Sequence, residues 1–170
     1  MFDKENYRFR LAEEKETETV FALIKKRVRW MDDKSLSQWN TNGYLEAYPL
    51  EYYREQQRFG NLYVLEKQGD IVGTAVLLEQ DERWPEMTDE AYYIHNFATL
   101  SSEKGTGRLI LELVEELAAE QGKEAVRLDC NVDSPELNNY YGSKGYEERG
   151  TFNEGRYRGV RREKRLAAGS

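Results

Sequence analysis

The feature that most restricts the fold is a strand, a glycine turn and an amphipathic helix that follow one another directly. The apolar run Ala91–Thr99 has the length and composition of a buried strand. Lys104-Gly105-Thr106-Gly107-Arg108 follows it, and apolar residues then recur at helical spacing from Leu109 to Ala118. A glycine turn before a helix presents free backbone N–H groups and the positive end of the helix dipole, which suits an anion such as a phosphate.

Size and charge restrict the class of protein. We expect the 170 residues to form one domain, 1–170, with a loose tail at 167–170. The formal net charge of -7 argues against a general nucleic-acid surface and against anionic membranes. Cys130 is the only cysteine, so neither a disulfide framework nor a cysteine-rich zinc site is expected, and we predict no metal. Without a signal peptide or an apolar run of about 20 residues, the cytoplasm is the expected location.

The remaining chain alternates between strand and helix patterns. Before the central unit we expect two helices and three strands: strand Tyr7–Leu11, helix Thr17–Met31, helix Pro49–Phe59, and strands Leu62–Glu66 and Ile71–Leu78 joined at Gln68-Gly69-Asp70. After it we expect a strand, a helix and a hairpin: Val126–Val132, Ser134–Lys144, and Tyr146–Phe152 with Arg156–Leu166. This order predicts a mixed α/β domain. The glycine turn comes too late in the chain for a Rossmann fold.

These elements and residues resemble the GNAT acetyltransferase superfamily, from about Leu62 to Phe152. In that family a Gln/Arg-x-x-Gly-x-Gly/Ala loop holds the pyrophosphate of acetyl-coenzyme A; Gly105 and Gly107 fit its glycines, and Ser102 replaces the Gln or Arg. The family's second signature, Asn-x-x-Ala-x-x-x-Tyr-x-x-x-Gly-Phe, is occupied here by Ser134, Leu137, Tyr141, Gly145 and Tyr146. The resemblance implies a mixed α+β fold with a mostly antiparallel twisted sheet of about seven strands and about four flanking helices.

The resemblance also implies where acetyl-coenzyme A binds. Backbone N–H groups near the end of the Ala91–Thr99 strand would face the thioester carbonyl, and the glycine loop would face the pyrophosphate. Ser134 stands where the family's Asn touches the pantetheine arm. The implied cofactor contacts are Phe97, Ala98, Thr99, Lys104, Gly105, Thr106, Gly107, Arg108 and Ser134. For Lys104 and Arg108 the alternative is a solvent-facing position with no phosphate contact.

Acetyl transfer to an amine also requires an acid and a base. Tyr141 matches the position of the family's general acid, which protonates the leaving thiolate; the alternative is an ordinary packing aromatic. His95 is the only histidine and lies on the strand expected to face the acceptor. It is either the base or a structural residue, and Asp89 and Glu90 are alternatives for the base. Cys130 is expected in the core.

Two segments are candidates for the acceptor pocket, Leu36–Tyr44 and Glu79–Glu90. Their tryptophans, Trp39 and Trp84, are the first candidates for substrate contact. Four tyrosines lie nearby in sequence and are expected to pack, with one or two lining a pocket: Tyr44, Tyr48, Tyr52 and Tyr53. The basic run Arg156–Arg165 is expected on an edge-like strand that its charges keep soluble.

The resulting hypothesis is an N-acetyltransferase that moves an acetyl group from acetyl-coenzyme A to a primary amine of a small molecule in a ternary complex. We expect a monomer or homodimer that binds neither nucleic acid nor membrane. One alternative is a sensor or scaffold of the same fold that binds acyl-coenzyme A without turnover. The other is an acetyltransferase of protein N-termini or lysines.

Overall fold

The computed structural model describes residues 4–33, 43–85, 87–100 and 102–167. Contacts divide the chain into two compact units. The first comprises Met1–Leu77 and His95–Leu113, and the second comprises Leu78–Ile94 and Val114–Ser170. The expectation of one domain over 1–170 therefore stays a prediction, and residues 168–170 of the expected loose tail lie outside the described part.

Five α-helices and seven strands are present in the described residues. The helices are α1 (Thr17–Asp33), α2 (Tyr44–Ala47), α3 (Leu50–Arg58), α4 (Thr106–Glu120) and α5 (Pro135–Ser143). The strands are β1 (Tyr7–Leu11), β2 (Leu62–Lys67), β3 (Asp70–Leu78), β4 (Ala91–Thr99), β5 (Ala125–Asn131), β6 (Glu147–Glu154) and β7 (Tyr157–Arg165). All seven predicted strands are confirmed within three residues at either end. The four-residue helix α2 is one more helix than the sequence indicated.

The strands follow one another in the order β1-β2-β3-β4-β5-β7-β6. Antiparallel ladders join β1 to β2, β2 to β3, β5 to β7 and β6 to β7. The ladder between β4 and β5 is parallel and pairs Ala91–Tyr93 with Ala125–Arg127. The predicted mixed α/β fold with a mostly antiparallel seven-stranded sheet is confirmed.

In the first unit, a tight turn and a close helix contact fix the strands. Gln68 and Gly69 both have positive φ (50° and 92°), which is the conformation of a two-residue hairpin turn between β2 and β3. The buried aliphatic residues of this unit include Val20 and Ile24 on α1 and Leu62 and Val64 on β2, all at most 1% exposed. The same unit contains the end of β4 and the start of α4.

The second unit contains the β5-β7-β6 part of the sheet, and its order corrects one prediction. β7 lies between β5 and β6, so the basic run Arg156–Arg165 is not an edge strand; β6 is the edge. Two arginines of β7 donate hydrogen bonds to backbone carbonyls of neighbouring segments. Arg161 donates to the carbonyls of Arg83 (2.6 Å) and Thr151 (3.0 Å), and Arg162 donates to the carbonyl of Tyr146 (2.8 Å).

Of the helices described here, none combines the length and the apolar character that crossing a bilayer would require.

Candidate active site

The end of β4, in the first unit, carries three of the predicted cofactor contacts and the predicted base. Asn96 and Ala98 are buried, whereas His95, Phe97 and Thr99 are half-buried. Asn96 has a φ of 51°, a left-handed conformation that residues other than glycine seldom adopt. The strand is therefore kinked one residue before Phe97, so the peptide groups that follow depart from the regular direction of a strand.

Two phenols hold the side-chain amide of Asn96. The Tyr52 hydroxyl donates to Asn96 Oδ1 at 2.7 Å, and Asn96 Nδ2 donates to the Tyr44 hydroxyl. Tyr44 lies on α2 and Tyr52 on α3. Burial raises the pKa of the Tyr44 phenol well above its ordinary value, so this hydroxyl stays neutral. Sequence reasoning missed this network because Asn96 looks like any other residue of a nine-residue strand.

The glycine turn leads into α4 as predicted, but the helix begins earlier than the sequence suggested. Gly105 has a φ of 83°, which only glycine adopts at little cost. The Thr106 hydroxyl donates to the carbonyl of Glu103 at 2.6 Å and so ties the start of the helix to the preceding loop. Thr106, Gly107 and Arg108 form the first turn of α4 and do not belong to the preceding loop. Backbone N–H groups in this position have no partner within the helix, so they can bind an anion.

Charged side chains surround this turn. Lys67 Nζ lies 3.1 Å from Glu103, and the hydrogen bond between them raises the pKa of Lys67. Arg108 pairs with Glu112 one helical turn away, at 3.1 Å, and its side chain is 66% exposed. Lys104 is exposed. A diphosphate bound at this turn would therefore compete with Glu112 for Arg108 in a well-solvated position, where such pairs are weak.

Gly73 on β3, which the sequence did not single out, lies where α4 approaches the sheet closely. A Cβ atom at Gly73 on β3 would lie 2.7 Å from Ile110 Cδ1 and 3.3 Å from Thr99 Cγ2. A side chain at this position would displace the end of the Ile110 side chain, so glycine allows α4 to pack closely onto β3 beside the end of β4. The start of α4 and the end of β4, which carry most of the predicted cofactor contacts, are thus held together within one unit.

Ser134, in the second unit, is the N-cap residue of α5. Its Oγ accepts a hydrogen bond from the backbone N–H of Leu137 at 3.3 Å, and Pro135 follows at the first helical position. This confirms the predicted start of α5. The cap uses one lone pair of the hydroxyl and leaves its O–H able to donate, so the contact with a pantetheine arm stays a prediction.

Tyr141 lies near the end of α5 and is half-buried. Its ring makes edge-on contacts with Tyr140 (5.4 Å between centroids) and Tyr146 (6.1 Å). Its carbonyl accepts hydrogen bonds from the N–H groups of Tyr146 and Lys144 as the helix ends. The backbone at Tyr141 is therefore well fixed, while its role as an acid stays a prediction.

Cys130 on β5 is buried, which confirms that it is a core residue. Burial raises the pKa of its thiol to about 11, so the thiol is protonated at neutral pH and is a poor nucleophile.

Arg127 on β5 is buried, although it is charged and alternates with apolar residues along its strand. Its side chain is only 1% exposed. Its guanidinium donates to Glu163 at 2.8 Å, to the Tyr93 hydroxyl at 2.9 Å and to both oxygens of Asp89 at 2.9 Å. It also lies over the Trp84 ring, 5.4 Å from the centroid. Arg127 thus ties the loop before β4 to β5 and β7.

Two predicted site residues belong to this cluster. Trp84 is 4% exposed and packs against Ala91, Tyr93 and Ala125. Burial would raise the pKa of the Asp89 carboxyl, but hydrogen bonds from Arg165 and Arg127 outweigh it and lower that pKa. Asp89 is therefore a weak base. Trp39, like most of the 36–44 segment, lies outside the described residues.

Comparison with known proteins relates this arrangement to a large family. The profile of the Acetyltransferase (GNAT) family matches residues 28–146. An uncharacterized N-acetyltransferase of Bacillus subtilis (strain 168), YesJ, is 24% identical over 140 residues, which cover 78% of this chain and 77% of YesJ.

Solved structures show the same fold at low sequence identity. A GNAT family acetyltransferase from Listeria monocytogenes superposes with a TM-score of 0.81 at 20% identity, over 94% of this chain and 95% of that one. The PaiA N-acetyltransferase of Thermoplasma acidophilum, solved in complex with coenzyme A, gives 0.73 at 12% identity, over 94% and 99%.

Proposed function

The chain belongs to the GNAT acetyltransferase family, and on this premise we propose that it transfers an acetyl group from acetyl-coenzyme A to a primary amine of a small molecule. The amine attacks the thioester carbonyl directly in a ternary complex. The observation that carries the proposal is the left-handed Gly105 directly before the 15-residue helix α4. This backbone suits a diphosphate, which is the anionic part of coenzyme A.

In this proposal the first turn of α4 holds the diphosphate. The backbone N–H groups of Gly105, Thr106, Gly107 and Arg108 donate to its oxygens, and the side chains of Lys104 and Arg108 add positive charge. The glycines allow the phosphate oxygens to approach the backbone closely. The exposure of both cations supports a contribution to affinity that is modest and falls as salt is added.

The backbone at the end of β4 receives the reacting group. A donor among the N–H groups of Phe97, Ala98 and Thr99 faces the thioester oxygen, where negative charge develops during attack. One such donor contributes about 10²–10³ in rate. The kink at Asn96 supports this assignment, because it changes the direction of the peptide groups that follow.

Two side chains handle protons. Tyr141 donates a proton to the sulfur of coenzyme A as the C–S bond breaks, and the amine loses a proton to a base. His95 is the proposed base, because it lies beside the kink and Asp89 is bound to two arginines. Trp84 is assigned to packing. Ser134 caps α5 through one lone pair, and its O–H contacts the pantetheine arm.

The small-molecule acceptor, the monomeric or homodimeric state and the cytoplasmic location remain part of the proposal. An acetylated protein N-terminus or lysine is the main alternative acceptor. A sensor that binds acyl-coenzyme A without turnover is the main alternative function. The departures from the family pattern at Ser134 and Ser102 are the observations that favour it.

Two measurements on the full chain test the proposal. Calorimetric titration with acetyl-coenzyme A measures binding, and release of free thiol over a panel of amines and lysine-containing peptides measures transfer. The proposal expects binding together with thiol release that depends on a small amine. Binding without acceptor-dependent release favours the sensor, release with peptides alone favours protein acetylation, and absence of binding overturns the proposal.

A further inference from the structure

Asn96 has an unusual backbone for a strand residue. Among the described residues, two other than glycine have positive φ, Gln68 and Asn96. Gln68 is exposed in the β2–β3 hairpin turn, where this conformation is normal. Asn96 is 7% exposed and lies within β4, where a turn does not explain it. Residues persist in such conformations when their surroundings over-determine them, and they concentrate at functional sites.

Two hydrogen bonds hold the side-chain amide of Asn96. Its amide oxygen accepts from the Tyr52 hydroxyl and its amide nitrogen donates to the Tyr44 hydroxyl, so both ends of the amide are fixed. The two phenols come from separate helices. Tyr48 links their rings, with its centroid 4.8 Å from that of Tyr44 and 4.8 Å from that of Tyr52. The ring of Tyr53 lies a further 5.2 Å from Tyr52 and is fully buried.

We propose that Tyr44 and Tyr52 are positioning residues that hold the Asn96 kink and thereby direct the backbone N–H groups of Phe97 and Ala98 towards the thioester carbonyl. We call Tyr44, Tyr52 and Asn96 the amide clamp. The proposal rests on the proposed function for the identity of the acyl group. The clamp itself rests on the backbone of Asn96 and its two hydrogen bonds.

Asparagine suits this position for two reasons. It enters the left-handed region at less cost than most residues, and its amide offers one acceptor and one donor to the two phenols. Glycine would adopt the kink without strain but without the clamp. Alanine would lose the clamp and resist the kink. Comparison of asparagine, glycine and alanine at position 96 therefore separates the effect of the backbone conformation from the effect of the side-chain hydrogen bonds.

The first experiment measures kcat for acetyl transfer in wild type, Asn96→Gly and Asn96→Ala. We expect Asn96→Ala to lower kcat at least about tenfold, because one backbone N–H that donates to the thioester carbonyl is misdirected. We expect Asn96→Gly to retain at least about threefold more activity than Asn96→Ala, because glycine keeps the kink. Equal loss in both variants, or loss in neither, would overturn the proposal.

A double-mutant cycle tests whether the phenol acts through Asn96. Tyr52→Phe removes the hydrogen bond and keeps the ring, so it should lower kcat about threefold or more in wild type and have little effect in Asn96→Gly. The clamp is refuted if the effects of Tyr52→Phe and Asn96→Gly on kcat multiply in the double variant. It is also refuted if Tyr52→Phe raises the KM of the amine and leaves kcat unchanged, because the phenol then contacts the acceptor itself. Tyr63→Phe is the matched control, a half-buried phenol on β2 whose ring stacks on Phe9 at 5.1 Å; we expect wild-type kinetics.

Amide hydrogen exchange gives a readout that needs no turnover. The N–H groups of Phe97 and Ala98 should exchange faster in Asn96→Ala and in Tyr52→Phe than in wild type, with unchanged exchange in strand β7. A wild-type protein without acceptor-dependent thiol release would refute the proposed function, and exchange alone would then decide whether the clamp holds β4. An active wild type with unchanged exchange and kcat in the variants would refute the clamp alone.

Discussion

Arg127 donates from Nε to Glu163 at 2.8 Å, with both side chains at most 7% exposed. The same guanidinium binds Asp89 and the Tyr93 hydroxyl, so three polar groups share one buried cation. Ion pairs of this kind contribute little net stability when intact, because burying the charges is costly. Loss of one partner leaves the others uncompensated, which is strongly destabilising.

Arg127→Ala should therefore lower the free energy of unfolding by about 3–5 kcal/mol. Denaturant unfolding monitored by circular dichroism measures the change. Arg156→Ala is the control, because Arg156 is exposed in the turn between β6 and β7, and its removal should change stability by less than about 0.5 kcal/mol. Equal stability of Arg127→Ala and wild type would show that the cluster is not held together by Arg127.

Glu16 predicts a specific dependence of stability on pH. Its hydrogen bond with Arg10 lowers the pKa of its carboxyl from the ordinary value of 4.5 to about 2. A pKa that is depressed in the folded state contributes stability above the unfolded pKa, and this contribution is lost as pH falls from about 4.5 towards 2. The pair is largely buried, since the two side chains are 20% and 16% exposed.

Glu16→Gln should thus destabilise the protein by about 2–3 kcal/mol at pH 7 and by much less near pH 2. Unfolding measured across this range would test the expectation, with Glu14→Gln as an exposed neighbour that should show no such trend. A difference between Glu16→Gln and wild type that stayed constant with pH would contradict it.

Tyr141→Phe tests the proposed acid. The variant should bind acetyl-coenzyme A nearly as wild type does and lower turnover at least about tenfold, which corresponds to about 1.4 kcal/mol of barrier. Tyr140→Phe is the matched control on the same helix and should keep wild-type turnover. If turnover of Tyr141→Phe were unchanged while chemistry limited the rate, Tyr141 would have no part in proton transfer.

Gly107→Val tests the start of α4. A branched side chain in the first helical turn would obstruct the diphosphate, so the Kd for acetyl-coenzyme A should rise at least about tenfold, or about 1.4 kcal/mol. Ala119→Val, at an exposed position of the same helix, should bind as wild type does. An unchanged Kd in a folded Gly107→Val protein would place the diphosphate elsewhere.

Local patterns predicted the helices and strands well, because hydrophobic spacing and caps act over a few residues. Pro49 directly before α3 and Ser134-Pro135 at the start of α5 are such signals. The helix α2 was missed because four residues are too short to show a helical period. The basic run Arg156–Arg165 was placed on an edge strand incorrectly because strand order depends on contacts distant in sequence.

The site was less predictable than the fold. Arg127 alternates with apolar residues of β5, and nothing within that strand reveals that Asp89 and Glu163 bind it. The kink at Asn96 arises from phenols more than forty residues away in sequence. The turn before α4 was predictable because Gly105 and Gly107 lie close together in the chain and directly before an amphipathic pattern.

A crystal structure of the protein soaked with acetyl-coenzyme A tests the central claim most directly. The account predicts diphosphate oxygens within hydrogen-bond distance of backbone N–H groups between Gly105 and Arg108. Density for the diphosphate at any other surface, with these N–H groups bound only to water, would contradict it.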